Sequence, residues 1–172
     1  RSIPKVVQPV LRRVSLDIGE SVSFAMIDGD EAVYVAHAFM PNRFTLNMVT
    51  VGSRVPVAPT AVGRAILAFL DEDEREAILE RLSLSTHTAN ILVGRKELSA
   101  VLGTIRQCGY SLSSSEYVEG VSSLALPVFG RGDRIVRAVS IVFPQGQYDE
   151  KELQNSVIGQ LQRSAEEIGA VF

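Results

Sequence analysis

Cysteine is almost missing from this chain. Cys108 is the single one in 172 residues, so no disulfide can close within the chain, which fits a reducing cytoplasm. Histidine is nearly as scarce, with only His37 and His87. Two histidines and one cysteine offer no metal-ligand spacing, so no metal is expected. No apolar run is long enough to span a membrane, and no signal peptide is read at the start. An excess of basic charge is lacking too. Seventeen Lys and Arg face twenty Asp and Glu, for a formal net charge of −3, and the sequence pI is about 5.4. Cations come in scattered pairs such as Arg12-Arg13 and Arg95-Lys96. DNA affinity rests on neutralising phosphates, so this chain by itself is expected to bind DNA poorly. No G-x-S-x-G nucleophile elbow is present. Gly130-Arg131-Gly132 lacks the further glycine and helix of a nucleotide fingerprint, so no cofactor is expected.

What is present describes an ordinary globular domain. The chain is 46% hydrophobic and 22% charged, enough to bury one good core. The stretch Val51 to Leu70, VGSRVPVAPTAVGRAILAFL, organises the rest. Pro59 biases Ala58 towards extended geometry, Thr60 offers an N-cap hydroxyl, and Val62, Ile66 and Leu70 follow at helical spacing. The first amides of such a helix are free of intrahelical partners and carry the positive end of the dipole, which suits a carboxylate. The same pattern also describes an ordinary capped helix that packs on a sheet and binds only water.

Elsewhere the pattern alternates between helix and strand. Apolar residues from Val6 to Ile18 recur at helical spacing, and Pro9 is expected at the first helical position, with the preceding residues as the tail of a linker. Gly19 ends that helix. Ser21–Ile27 and Ala32–Phe39 read as a hairpin around Asp28-Gly29, with His37 as a hydrogen-bonded strand residue. Phe44–Val51 is expected as a third strand. Helices follow after Asp71 and over Leu98–Ile105, with a polar loop from Ser83 to Gly94 between them and Gly109 closing the second. Cys108 is expected to be a small buried side chain. Three more strands, Tyr110–Tyr117, Ser122–Phe129 and Ile135–Phe143, precede a last helix from about Asp149 to Val171. Pro127 suggests an edge or a bulge. Hairpin connections predominate, so the fold class is α+β with a largely antiparallel sheet.

Several spaced motifs carry a resemblance. Gly52, Arg54, Pro56, Thr60, Gly63, Arg64 and Ala65 match a G-x-R/K-x-P segment followed by T/S-x-x-G-R/K-A. Gly109-Tyr110, Glu116-Tyr117, Gly120 and Ala125-Leu126-Pro127-Val128 follow in order, and the run from Leu11 to Val35 precedes them. The chain resembles the effector-binding domain of the IclR family of bacterial transcription regulators, in the branch that senses aromatic-catabolism acids. The resemblance implies a GAF-like fold of about six strands with residues 1–172 as the effector-binding domain. It implies that a winged helix-turn-helix DNA-binding domain precedes it in the full protein; Arg1 as first residue agrees with a fragment. It further implies a small carboxylate effector, DNA contact through that other domain only, and assembly as a homodimer or homotetramer.

Carried over position by position, the implied effector site is Phe44, Asn47, Val55, Ala61 and Val62, then Ser113, Val121, Ser123, Ser140 and Val142. Ser113 stands where a relative has an acidic residue and Val142 where it has a serine. The less polar lining favours a larger, more apolar acid, aromatic ones included. Arg64 is a candidate carboxylate partner, though the fourth helical position equally suits solvent. Two rival readings remain: a GAF-like enzyme using Ser123 or Cys108, and a purely structural dimerisation domain.

Overall fold

A computed structural model describes residues 3–40, 50–84, 94–114 and 119–172. Six strands form one sheet in the order β3-β2-β1-β6-β5-β4, with every neighbouring pair antiparallel. They are β1 (Val22–Asp28), β2 (Glu31–Ala38), β3 (Arg54–Pro56), β4 (Ser111–Ser114), β5 (Val121–Phe129) and β6 (Val136–Pro144). The sheet joins two hairpin units through β1 and β6, where Ser23 lies opposite Ser140 and Ala25 opposite Ala138. Helices cover both faces, so the α+β class read from the sequence holds.

Side chains alternate across a strand, and the buried sets divide accordingly. Ala25, Ala32, Tyr34, Ala125, Val136 and Ala138 meet α2 (Ala61–Phe69), α3 (Glu72–Leu84) and α4 (Arg95–Cys108) in one core. Phe24, Ala36, Leu124, Val139 and Ile141 meet α1 (Ile3–Ile18) and the last helix in the other. That last helix, α5, runs from Glu150 to Gly169 with a π-helical stretch at Leu153–Val157. Asp149 caps it, its Oδ1 accepting from Glu152 N at 2.7 Å. The expected apolar stripe of Leu153, Val157, Leu161, Ala165 and Ile168 is buried throughout.

Two sequence expectations need correction, and a third needs it at its end. The first helix does not begin at Pro9: it begins at Ile3 and carries Pro9 inside. Proline removes one backbone donor there, but Val7 and Leu11 on either side are fully buried, and that burial outweighs the lost bond. Gly19 closes α1 with φ +81° and donates from its amide to Ser15 O at 2.8 Å. The third described strand is Arg54–Pro56; Thr50 is not in a strand, Val51 and Gly52 form a turn, and residues 44–49 of the expected Phe44–Val51 strand lie outside the described residues. Arg54 ties β3 to the first hairpin through Glu31 at 2.8 Å and Asp28 at 2.9 Å. Cys108 is exposed rather than buried, because the buried stripe of α4 runs through Leu98, Leu102 and Ile105 and leaves position 108 off it. The expected loop around His87 lies largely outside the described residues, with α3 extending to Leu84.

Pro127 sits inside β5 without breaking a ladder. It pairs with Ala138 on one side, while β4 reaches only from Ser122 to Ala125 on the other. Beyond Ala125 the outer side of β5 is an edge, where a missing N–H costs nothing.

Candidate ligand site

The corner between β3 and α2 is held by short local bonds. Thr60 is extended, with φ −110° and ψ 149°, and its Oγ1 accepts from Gly63 N at 3.2 Å. The same hydroxyl donates to Pro56 O at 2.7 Å. Arg64 is not at the solvent: it is buried, and its Nε donates to Ala58 O at 2.6 Å, bracing the corner from inside. Thr60 Oγ1 takes the Gly63 amide and Thr60 O takes the Arg64 amide at 3.0 Å. Among the described residues the amides of Ala61 and Val62 have no acceptor. Both residues are only 2% exposed. Ala61 is the first residue of α2, where the sequence placed the free amides. Phe69 at the other end of α2 packs edge-to-face on Phe129, the last residue of β5, with centroids 5.4 Å apart.

The sheet face turned towards α2 changes character along its length. Near Ala25, Ala125, Val136 and Ala138 it is apolar and covered. Further along, two rows of small polar side chains cross it. Ser113, Ser123 and Val142 stand opposite one another on β4, β5 and β6. One step along, Ser111, Ala125, Ser140, Ser23 and His37 follow one another across five strands. All these positions share the side of Ala25 and Ala138 by strand alternation.

Ser140 is 2% exposed, and its hydroxyl has no hydrogen-bond partner among the described residues; the same is true of Ser111, 1% exposed. A buried hydroxyl left unpaired costs about 1–3 kcal/mol, so each such group calls for a polar partner, a water or ion included. Ser23 differs, for its Oγ lies 2.8 Å from His37 Nδ1. Burial lowers the pKa of His37 from its ordinary value, so at neutral pH the ring is uncharged and offers one donor and one acceptor.

Of the ten residues read from the sequence, Ser113, Val121, Ser123, Ser140 and Val142 therefore share one face of three adjacent strands. Val55, Ala61 and Val62 belong to the core around α2. Phe44 and Asn47 lie outside the described residues. Sequence reasoning did not single out Ser23 or Ser111, and read His37 as a hydrogen-bonded structural residue ahead of a ligand. Alternation in β1 placed Ser23 opposite the Phe24 face, but nothing in a single sequence says which strands become neighbours.

Neither rival nucleophile has a base beside it among the described residues. Cys108 Sγ is 3.3 Å from Tyr110 O and 3.9 Å from Ile105 O, both carbonyls. No base is hydrogen-bonded to Cys108 or Ser123 among the described residues, and a nucleophile needs one within reach. Among the described residues no group of three or more His, Cys, Asp and Glu could hold a metal, and no helix is long and apolar enough to cross a membrane.

Two covered sheet faces, with a polar strip on one of them beside a helix start, define the class: a single-sheet α+β domain with a candidate small-molecule face. The chain belongs to the bacterial transcriptional regulator IclR C-terminal family, whose model matches residues 1–170. It is similar to the HTH-type transcriptional regulator XynR of Escherichia coli K12, with 32% identity over 145 residues, 84% of this chain and 57% of that protein. Among solved structures it is similar to the transcriptional regulator RHA06195 from Rhodococcus sp. RHA1, with a TM-score of 0.87, 34% identity and coverage of 98% of this chain and 67% of the other. It also matches a double mutant of the PobR inducer-binding domain from Acinetobacter in complex with 3-hydroxybenzoic acid. There the TM-score is 0.80 and the identity 26%, over 98% of each chain. The chain spans less than two thirds of the length of the curated relatives it matches.

Proposed function

We propose that this domain is the effector-sensing part of an IclR-type transcriptional regulator and binds a small organic carboxylate. The observation that carries the reading is the pairing of unmet needs on one side of the sheet. Among the described residues Ser140 keeps a buried hydroxyl without a partner, and α2 begins with two buried amides without acceptors. A carboxylate at the helix start would meet the amides, and the apolar lining of Val121 and Val142 suits an organic body. The PobR domain with 3-hydroxybenzoic acid shows that a relative of this fold accepts an aromatic acid.

The residues assigned to the site in this reading are Val55, Ala61, Val62, Ser113, Val121, Ser123, Ser140 and Val142; Phe44 and Asn47, which the family resemblance adds, lie outside the described residues. A catalytic role is not part of this reading: among the described residues no base is hydrogen-bonded to Cys108 or Ser123, and the relatives are transcriptional regulators. In the full protein, which acts in the cytoplasm, an N-terminal domain contacts DNA. The effector shifts a pre-existing balance between arrangements of a homodimer or homotetramer, and so shifts DNA affinity by linkage.

Calorimetric titration of this domain with acetate, pyruvate, benzoate and 3-hydroxybenzoate, and with benzamide as the uncharged control, tests the reading. Saturable binding of an acid with one site per chain, and none of the amide, is expected. Binding of no acid, or of benzamide as tightly as benzoate, removes the sensing assignment.

A further inference from the structure

Ser23 occupies the middle of the polar row. It lies opposite Ser140 across β1–β6 and opposite His37 across β1–β2. It is 3% exposed, and its hydroxyl already shares one hydrogen bond with His37 Nδ1 at 2.8 Å. A hydroxyl has one donor and two acceptor sites, so this bond leaves Ser23 with capacity to spare. His37 Nε2 has no hydrogen bond among the described residues. Ser140, directly across the ladder, has its whole capacity unused. Side chains opposite each other on neighbouring antiparallel strands sit with Cβ atoms about 5 Å apart. One oxygen lying between Ser23 and Ser140 reaches both hydroxyls.

The chemistry of the pair selects what that oxygen belongs to. If Ser23 donates to Nδ1, it can accept from an incoming hydroxyl. If Nδ1 carries the proton and donates to Ser23, the Ser23 hydroxyl is free to donate to an incoming carbonyl. The neutral ring keeps both tautomers open. No arginine or lysine side chain is hydrogen-bonded to Ser23, Ser140 or His37 among the described residues. A second carboxylate placed here would be buried without a counter-charge, which is costly.

We propose that Ser23, positioned by His37 and facing Ser140, forms a second polar subsite that takes a neutral hydroxyl or carbonyl oxygen on the body of the acid. The subsite rests on the sensing reading above and narrows its ligand to hydroxy or oxo acids, against unsubstituted acids and diacids. His37 is a positioning residue in this scheme; Ser23 makes the contact.

Titration of the wild-type domain and of Ser23→Ala with benzoate, 3-hydroxybenzoate, 4-hydroxybenzoate and isophthalate decides it. In the wild type, one of the hydroxybenzoates is expected to bind about tenfold more tightly than benzoate, and isophthalate more weakly than benzoate. In Ser23→Ala the hydroxybenzoate preference disappears while benzoate affinity stays within about twofold, the hydroxyl contact being the part removed. Benzoate and hydroxybenzoates binding equally to the wild type, or the preference surviving in Ser23→Ala, overturns the subsite and leaves the sensing reading standing. Binding of none of the four overturns the subsite and leaves the sensing reading to the acetate and pyruvate titrations. Nitrogen-15 spectra of the His37 ring in the wild type give a second readout that does not depend on the variant folding. The ring resonances are expected to move with the preferred hydroxybenzoate and to stay in place with benzoate; equal movement with both rejects the subsite.

Discussion

Gly63 lies against Val57 so closely that a Cβ added to it would come 2.3 Å from both the Cα and the carbonyl oxygen of Val57. The obstacle is backbone, so no rotamer change relieves it. The contact folds the strand end back over the first turn of α2 and sets where the Ala61 and Val62 amides stand.

Gly63→Ala is therefore expected to cost about 3 kcal/mol, at the upper end for overpacking. In a chain of this size that lowers Tm by roughly 10 °C, readable by calorimetry. A shift under about 2 °C would mean that the corner yields and does not fix the helix start.

Ser140→Ala is expected to act in opposite directions on stability and binding. The hydroxyl has no partner in the free domain, so its removal should raise stability in urea unfolding by about 1 kcal/mol. The same change should weaken the preferred hydroxybenzoate by about tenfold, through the lost contact, and benzoate much less. A loss of stability instead would show that the hydroxyl is already satisfied in the free protein.

His37 links stability to pH. Its folded pKa is lowered by burial, so the unfolded chain binds the proton more readily. Its contribution is complete above the unfolded value near 6.5 and is lost as pH falls from there through the folded value. Between about pH 7 and 5.5 the wild type should lose more Tm than His37→Gln, whose side chain does not titrate. Parallel Tm curves for the two proteins over that window would show the ring is not kept neutral by the fold.

Much of the fold was legible because local rules and tertiary packing agree. Thr60, Gly63 and the Val62, Ile66, Leu70 spacing defined α2, and Gly19 and Gly109 marked helix ends with φ +81° and +87°. Pro9 misled because a local propensity was set against the burial of Val7 and Leu11, and burial is the larger quantity. Arg54–Pro56 was too short to announce itself and is a strand only because β2 lies beside it. Cys108 was misjudged because one residue at a helix end shows no periodicity. The π-helical stretch at Leu153–Val157 has no signature in residue type. The candidate positions Ser113, Val121, Ser123, Ser140 and Val142 came from family motifs, and strand pairing puts them on one face. The Ser23–His37 bond was invisible because it joins residues that only strand pairing brings together.

Ser23 and Phe24 are adjacent on β1, and they look in opposite directions. Phe24 is fully buried and stacks on Phe172 with centroids 5.9 Å apart, on the side where α1 and α5 pack. A strand is a single backbone thick, so whatever tugs on one of these side chains displaces the other. A message arriving at the serine row would need no hinge and no chain of intermediaries to be felt by the far layer; the membrane between sender and receiver is one peptide group.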